Sequence, residues 1–189
     1  MQVLNAHEPL LSSPLRILVA GTSGSGKTTL AGRIAATVGS PHTEIDALFH
    51  GPSWTPRESF MRDVAAFTAE PRWVSEWQYH AARPLLLRRA DLLVWLDLPQ
   101  SLVMRRVARR TAQRRLNGTA LWNGNHEPPL SSFFTDRDHI VRWAWRTRHE
   151  NAERVADAVV SRADLPIVRL RSQREVDQWV DGPLRDSVR

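Results

Sequence analysis

The sequence predicts an α/β domain, a three-layer sandwich in which helices cover both faces of a five-stranded parallel sheet. Short, nearly continuous apolar runs such as Leu15 to Ala20 are typical of strands buried on both faces. Segments with apolar residues at helical spacing alternate with these runs, as in βαβ units. The chain has 189 residues, of which 42% are hydrophobic and 24% charged, so it can bury the core of one domain.

The predicted elements alternate along nearly the whole chain. We predict strands at 15–20, 44–47, 72–76, 92–98 and 167–170, and helices at 27–38, 56–69, 81–89, 99–115, 137–162 and 175–180. The stretch 117–136 is rich in Gly, Asn and Pro, which indicates a long loop. We therefore expect one domain over residues 1–189, in which residues 1–14 are flexible.

The strongest motif lies between the first predicted strand and the first predicted helix. Residues 21–28 read GTSGSGKT and match the pattern G-x-x-x-x-G-K-[ST], the phosphate-binding P-loop. Its glycines let backbone N–H groups face the phosphates of ATP or GTP, Lys27 reaches the β- and γ-phosphates, and the Thr28 hydroxyl coordinates Mg²⁺. A glycine-rich turn beside a surface lysine is the structural alternative. The residues assigned to nucleotide binding are Gly21, Thr22, Ser23, Gly24, Ser25, Gly26, Lys27, Thr28 and Thr29.

The basic residues support this assignment. The formal charge is +6, which favours an anionic partner such as a nucleotide, a nucleic acid or an acidic membrane. Of the 26 basic residues, Lys27 is the one lysine and all the others are arginines. Compositional bias alone could have left a lysine anywhere in the chain, so its position at the P-loop supports a role there.

Several classes of protein are excluded or disfavoured by composition. The chain has no cysteine, which rules out disulfides and thiolate metal sites and favours a cytoplasmic setting. The first residues do not read as a secretory signal, and no apolar run reaches transmembrane length. The histidines lack metal-ligand spacing, so a zinc site is not expected.

Several segments besides the P-loop have a recognisable sequence. They are EIDAL (44–48), WTPRESF (54–60), WVSEWQY (73–79), RAD (89–91), WLDLP (95–99), GNHE (124–127) and WAWRT (143–147). With the P-loop, these segments resemble the adenylate-kinase-like P-loop proteins often described as DNA topology modulation proteins, and the resemblance covers about residues 15–181. It implies a nucleotide-kinase-like core with an arginine-bearing lid over about residues 105–140, and it does not imply a settled substrate.

One segment departs from that family. Relatives usually carry Asp-Gly-Asn-Tyr after the third strand, where this chain has Glu76-Trp77-Gln78-Tyr79. Tryptophan in place of glycine narrows the space there, so the phosphoryl acceptor is expected to differ. The resemblance also puts Glu76 at the family's second-motif acid, which implies a role in holding Mg²⁺ or its water shell.

Three carboxylates end predicted strands, where ligands of open α/β sheets bind. They are Asp46, Glu76 and Asp97. We expect Asp46 to act on the acceptor hydroxyl, since phosphoryl transfer often uses a carboxylate base. The alternative for each is an acid that caps a helix or pairs with an arginine.

The helix at 99–115 carries six arginines. Spacing of four puts Arg106, Arg110 and Arg114 on one face, with Arg105 and Arg109 beside it. Such arginines could close over the γ-phosphate, and we centre this role on Arg109 and Arg110, with Arg137, Arg142 and Arg146 as further candidates. A solvated basic face is the alternative.

Two of the eight tryptophans, Trp54 and Trp122, lie in loop contexts and could stack on a planar ligand, although core packing is the alternative for both.

Two classes of function remain. The first is an ATP-dependent kinase that moves the γ-phosphate to a small acceptor, such as a nucleoside, a nucleotide or another hydroxylated metabolite. The second is a nucleotide-dependent regulator or nucleic-acid-binding ATPase, which the basic charge and the resemblance suggest. No DNA-reading motif is visible and a lid explains the arginines, so nucleic acid is the less favoured partner and a membrane is not expected.

Overall fold

Six parallel strands form one sheet, in the spatial order β1-β6-β5-β2-β4-β3. The computed structural model describes residues 3–116 and 150–188. The strands are β1 (Val3–Leu4), β2 (Arg16–Gly21), β3 (His42–Thr43), β4 (Trp73–Glu76), β5 (Leu92–Leu96) and β6 (Ile167–Leu170). The helices are α1 (Lys27–Val38), α2 (Ile45–Phe49), α3 (Phe60–Phe67), α4 (Arg83–Arg89), α5 (Gln100–Leu116), α6 (Glu150–Ser161) and α7 (Gln173–Trp179). One 3₁₀ turn (Pro52–Trp54) and one π-helical turn (Val180–Leu184) complete the described elements.

Two cores lie on opposite faces of the sheet, because side chains alternate along each strand. In β2, Ile17 and Val19 join a cluster with residues of α1, α7 and the π-helical turn. Leu18 and Ala20 face the other way and pack in a cluster with residues of α2, α3, α4 and α6. The three layers confirm the predicted sandwich and explain why the strands read as continuous apolar runs.

The central position of β2 in the sheet determines where the candidate site lies. β2 pairs with β4 on one side and β5 on the other, with Val19 opposite Glu76 and Gly21 opposite Leu96. The carboxyl ends of these three strands therefore meet at one edge of the sheet. The P-loop, Glu76 and the segment before α5 all follow directly from that edge.

The sheet has six strands and not the predicted five. The additional strand, Val3–Leu4, runs parallel to β6, and Leu4 is 2% exposed. Residues 3–4 lie in the stretch 1–14 that was predicted to be flexible, and there the chain forms a strand. A strand of two residues is too short to give a recognisable pattern in the sequence. Burial of Leu4 and Ala6 in the core stabilises this segment.

The second predicted strand, 44–47, is wrong in position. The strand is His42–Thr43, and Asp46 lies in the first turn of α2. The apolar residues Ile45, Leu48 and Phe49 have helical spacing, and packing against the second core stabilises that short helix.

Most of the lid predicted at about 105–140 and the first half of the helix predicted at 137–162 lie on residues 117–149, outside the described residues. The second half of that helix is confirmed by α6 (Glu150–Ser161). Trp122, Arg137, Arg142 and Arg146 also lie outside them. In the part of the chain that is described, no helix is both long and apolar enough to span a membrane.

Candidate functional site

The loop between β2 and α1 has the backbone that a phosphate cradle requires. Gly24 (φ 80°) and Gly26 (φ 97°) both adopt left-handed conformations that favour glycine. Gly26 is the N-cap of α1, and its carbonyl accepts a hydrogen bond from the Leu30 amide at 2.9 Å. Amide groups at the start of this 12-residue helix thus lie beside the loop, where the helix dipole favours an anion.

Helix α5 packs directly on this loop. A Cβ built on Gly24 would come within 2.1 Å of Val107 Cγ2, and Val107 is fully buried. Arg106, the preceding residue, donates from Nη1 to the Ser25 carbonyl at 3.1 Å. The position of α5 is therefore coupled to the shape of the loop.

We expect Gly24→Ala to lower the free energy of unfolding by about 2–4 kcal/mol. The left-handed conformation costs about 1–2 kcal/mol for alanine, and the clash with Val107 forces α5 to move. Chemical denaturation measures the loss. The matched control is Gly32→Ala in α1, where the nearest atom is at 3.8 Å and alanine should stabilise by about 0.5–1 kcal/mol. Equal effects at both positions would contradict the packing argument.

Lys27 is a buried cation. It is 7% exposed, and its Nζ donates to the Thr22 carbonyl at 3.1 Å. Burial lowers the pKa of Lys27 from its ordinary value of 10.5 to about 8, although the negative charges of Asp46 and Glu76 oppose the change. The positive charges of Arg110 and Arg83 lower this pKa further. A buried ammonium group held among these residues favours an anionic ligand.

A cavity of about 270 Å³ lies beside the loop. Its lining residues are Ser25, Gly26, Thr29, Leu30, Arg33, Leu96, Arg106, Gln173 and Val176. Arg106 crosses one side, because its Nη2 donates to Gln173 Oε1 at 2.8 Å. The buried Oγ of Ser25 has no hydrogen-bond partner among the described residues, so a ligand oxygen would satisfy it.

Glu76 ends β4 and is 1% exposed. His42 Nε2 lies 3.1 Å from its Oε1, and the Ile45 amide donates to its Oε2 at 3.1 Å. Burial alone would raise the pKa of Glu76, but these hydrogen bonds outweigh it and hold the pKa below its ordinary value. Glu76 is therefore an ionised carboxylate whose two oxygens each already accept one hydrogen bond.

Asp46 is the centre of a second polar cluster. Its Oδ1 accepts from Gln78 Nε2 at 3.0 Å and from the Tyr79 hydroxyl at 2.6 Å. The Tyr79 oxygen also lies 3.1 Å from His50 Nε2. Burial, followed by the charge of Asp46, raises the pKa of Tyr79 far above its ordinary value, and burial lowers the pKa of His50.

Aromatic rings enclose this cluster. Phe49 stacks on Tyr79 with centroids 4.0 Å apart, and Phe60 meets Tyr79 edge-on at 5.3 Å. Trp54 contacts the His50 ring edge-on at 5.0 Å and is 37% exposed. The polar groups of the Asp46 cluster are thus surrounded by apolar surface on the side of α2 and α3.

The structure brings together most of the predicted site residues. Asp46 and Glu76 lie near enough to Lys27 to act on its pKa, and so does Arg110. Arg109 is exposed on α5, and no contact with the loop is found for it within the described residues. Asp97 has the alternative role considered for it, an acid that pairs with an arginine. Its Oδ2 accepts a hydrogen bond from Arg169 Nε at 2.8 Å.

Three neighbours of the site were given no role from the sequence. A fourth, Arg106, was predicted only as one arginine of the basic face, since the lid role was centred on Arg109 and Arg110. His42, Gln78 and Tyr79 had no recognisable spacing, because contacts across 32 to 34 residues bring them to the two carboxylates.

The oxygen donors beside the loop fit Mg²⁺. Among residues 3–116 and 150–188, no cluster of three or more His, Asp or Glu side chains could hold a metal ion. Oxygen donors near the loop are the half-buried Thr28 hydroxyl and the Glu76 carboxylate. Mg²⁺ typically takes one or two protein oxygens and completes its shell with phosphate and water, so these residues fit it.

A solved structure of a kinase shares this fold. A gluconokinase from Sinorhizobium meliloti 1021 is 22% identical, with 93% of this chain and 95% of that chain covered and a TM-score of 0.51. A putative kinase from Chloroflexus aurantiacus (15% identity, 90% and 96% covered, TM-score 0.47) and a shikimate kinase from Bacteroides thetaiotaomicron (14%, 89% and 95%, 0.46) are also similar. No family model and no curated protein matches the sequence, so the resemblance to DNA topology modulation proteins is not confirmed.

Proposed function

We propose that this chain is an ATP-dependent kinase that transfers the γ-phosphate to a hydroxyl or phosphate group of a small metabolite. The observation that carries the proposal is the buried Lys27 ammonium. It lies at the start of α1, bonded to its own loop, with the Asp46 and Glu76 carboxylates near it. A phosphate oxygen of a triphosphate would replace the neutral Thr22 carbonyl as the partner of Nζ, which gives a stronger, charge-assisted hydrogen bond.

Each part of the loop has a role in this proposal. The amides from Gly21 to Thr28 bind the phosphate oxygens, and Lys27 contacts the β- and γ-phosphates. Thr28 would hold Mg²⁺ directly and Glu76 through a water molecule, because both Glu76 oxygens already accept hydrogen bonds. Bound with the nucleotide, Mg²⁺ would neutralise charge on the phosphate oxygens.

The nucleoside part of ATP or GTP would enter the cavity next to the loop. That cavity has apolar walls at Leu30, Leu96 and Val176 and the planar guanidinium of Arg106 along one side. Apolar walls with a few polar groups are typical of sites for small planar ligands. Arg110, whose charge acts on Lys27, would offset negative charge on the γ-phosphate during transfer.

Asp46 would act as the base. The acceptor hydroxyl gives its proton to the Asp46 carboxylate, and its oxygen forms a bond to the γ-phosphorus. The bond between that phosphorus and the bridging oxygen breaks, and ADP leaves with the electron pair. The aromatic rings around Asp46 would exclude water from the acceptor site, which limits hydrolysis of ATP.

The test is a phosphoryl-transfer screen of the purified protein. MgATP is incubated with gluconate, shikimate, nucleosides, nucleoside monophosphates and other hydroxylated metabolites, and ADP release is measured with mass analysis of the acceptor. We expect one compound to be phosphorylated and to raise ADP release above that with water. Binding of nucleotide without phosphorylation of any compound would contradict the kinase assignment.

The alternative is a nucleotide-dependent, nucleic-acid-binding ATPase, the class to which the DNA topology modulation resemblance belongs. Arg105 and Arg109 give α5 an exposed basic face. Duplex DNA binding is measured from 50 to 200 mM salt, across which phosphate contacts alone weaken steeply. Tight DNA binding that persists at the higher salt would favour this alternative. For either function we propose a cytoplasmic setting, because the chain has no cysteine.

The affinity for triphosphate should fall above about pH 8. Below this pH, Lys27 is charged in the free protein, since its pKa is about 8. At higher pH it is neutral, so binding must take up a proton, and the dissociation constant should rise about tenfold per pH unit. Calorimetry with a non-hydrolysable ATP analogue measures it. Lys27→Arg, always charged, is the control, and an equal slope in that variant would contradict the role of Lys27.

A further inference from the structure

The two oxygens of Asp46 have different surroundings. Oδ1 accepts from both Gln78 and Tyr79, at 3.0 and 2.6 Å. No hydrogen bond to Oδ2 is found from any residue that the structure describes. Within the described residues, one oxygen of the carboxylate therefore accepts two hydrogen bonds and the other accepts none.

The direction of the hydrogen bonds follows from the chemistry of the groups. A carboxylate only accepts, so the Tyr79 proton points to Asp46 and the Tyr79 oxygen must accept from His50 Nε2–H. Burial lowers the pKa of His50, which keeps its ring neutral and its Nε2 proton available as a donor. The chain of donors thus runs from His50 through Tyr79 to Asp46.

The backbone of Tyr79 is held in a conformation that a tyrosine rarely adopts. Its φ is 59°, in the left-handed region, which costs of order 1 kcal/mol for a residue other than glycine. Its carbonyl accepts from the Ala82 and Arg83 amides, both at 3.0 Å, and its ring stacks on Phe49. Packing and hydrogen bonds on both sides thus fix the hydroxyl 2.6 Å from Asp46.

We propose that Tyr79 is a positioning residue for phosphoryl transfer. Together with Gln78 it occupies Oδ1 of Asp46 and fixes the carboxylate plane, which leaves Oδ2 as the oxygen that takes the proton of the acceptor hydroxyl. The proposal rests on the kinase function proposed above. It also gives a role to Gln78, one of the three positions at which this chain departs from Asp-Gly-Asn-Tyr, because Gln78 Nε2 donates to Asp46 Oδ1.

The test compares Tyr79→Phe, Asp46→Asn and the double variant. Phenylalanine keeps the ring that stacks on Phe49 and removes only the hydroxyl. ADP release from MgATP is measured with the acceptor identified by the screen and, in parallel, with water as the acceptor. Calorimetry with a non-hydrolysable ATP analogue is run on every variant, and thermal unfolding confirms that each is folded.

We expect Tyr79→Phe to lower kcat about 10- to 100-fold while KM for ATP changes less than about twofold. In the Asp46→Asn background the same change should have no further effect, because Tyr79 acts through Asp46. Gln78→Leu, which removes the other donor to Oδ1, should lower kcat in the same way. Ser59→Ala is the matched control, since its hydroxyl donates to the carboxylate of Asp63 at 2.8 Å outside this cluster, and it should leave kcat unchanged.

Three results would overturn the proposal. They are a kcat of Tyr79→Phe equal to that of the parent protein, losses from Tyr79→Phe and Asp46→Asn that simply multiply, and an unchanged kcat for Asp46→Asn. Failure of the proposed function looks different, because the parent protein itself would then not bind the ATP analogue or not release ADP.

Discussion

Lys27→Ala should reduce MgATP turnover by at least about 10³-fold, the scale expected for loss of a charge that stabilises the transferring phosphate. The side chain lies buried at the start of α1, next to the carboxylates of Asp46 and Glu76. No other lysine exists in the chain to replace it. ADP release in a coupled assay measures the change, and binding of a non-hydrolysable ATP analogue should weaken in parallel.

Lys27 replacement should also stabilise the protein without nucleotide. Lowering of the Lys27 pKa from 10.5 to about 8 corresponds to roughly 3 kcal/mol by which the buried environment disfavours the charge. Lys27→Met keeps roughly the volume of the side chain and removes the ammonium group. The free energy of unfolding of this variant should therefore rise by about 1–3 kcal/mol. An inactive but more stable variant would separate function from folding, whereas unchanged turnover in either variant would exclude the P-loop assignment.

Asp46→Asn should lower kcat for phosphoryl transfer by about 10²- to 10⁴-fold, the usual contribution of a general base. Asparagine keeps an oxygen that can accept hydrogen bonds from Tyr79 and Gln78. Its NH₂ group replaces Oδ2 and cannot accept a proton. Because Asp46 lies on α2 and not in the loop, affinity for the ATP analogue should change less than about threefold. Steady-state kinetics and calorimetry measure the two quantities.

Asp63→Asn is the matched control for this experiment. Asp63 is a carboxylate on α3 that pairs with Arg57 at 3.2 Å and accepts from Ser59, away from Asp46. Its replacement should leave kcat within about twofold of the parent protein. A similar loss of kcat in both variants would indicate a general effect of lost charge, and Asp46 would lose its assigned role.

The loop proposed to bind nucleotide could be predicted because its geometry is local. Eight consecutive residues, from Gly21 to Thr28, contain the glycines, the lysine and the hydroxyl that the loop needs. The strand before it and the helix after it have strong apolar patterns, and the structure has them at Arg16–Gly21 and Lys27–Val38. Local sequence preferences of this kind predict the structure correctly where the tertiary contacts favour the same conformation.

The acceptor side could be predicted only in part. The sequence singled out Asp46 and Glu76, but it put Asp46 at a strand end, and α2 carries it instead. The partners of Asp46 come from a turn more than 30 residues away, and a left-handed φ at Tyr79 aims its hydroxyl. No sequence rule predicts such a conformation for a tyrosine, because tertiary packing stabilises it.

The position of the arginines could not be predicted either. Helical spacing predicts which residues share one face of a helix, but it does not predict what that face contacts in the folded protein. In the structure α5 packs with Val107 against Gly24, Arg106 donates to the Ser25 carbonyl, the charge of Arg110 acts on Lys27, and Arg109 is exposed.

A crystal structure of the protein with Mg²⁺ and a non-hydrolysable ATP analogue tests the central claim most directly. We predict that the β- and γ-phosphates lie against the amides of residues 21–28, with Lys27 Nζ moved from the Thr22 carbonyl to a phosphate oxygen. A nucleotide bound elsewhere, or Lys27 still bonded to Thr22 beside an empty loop at saturating nucleotide, would contradict the account.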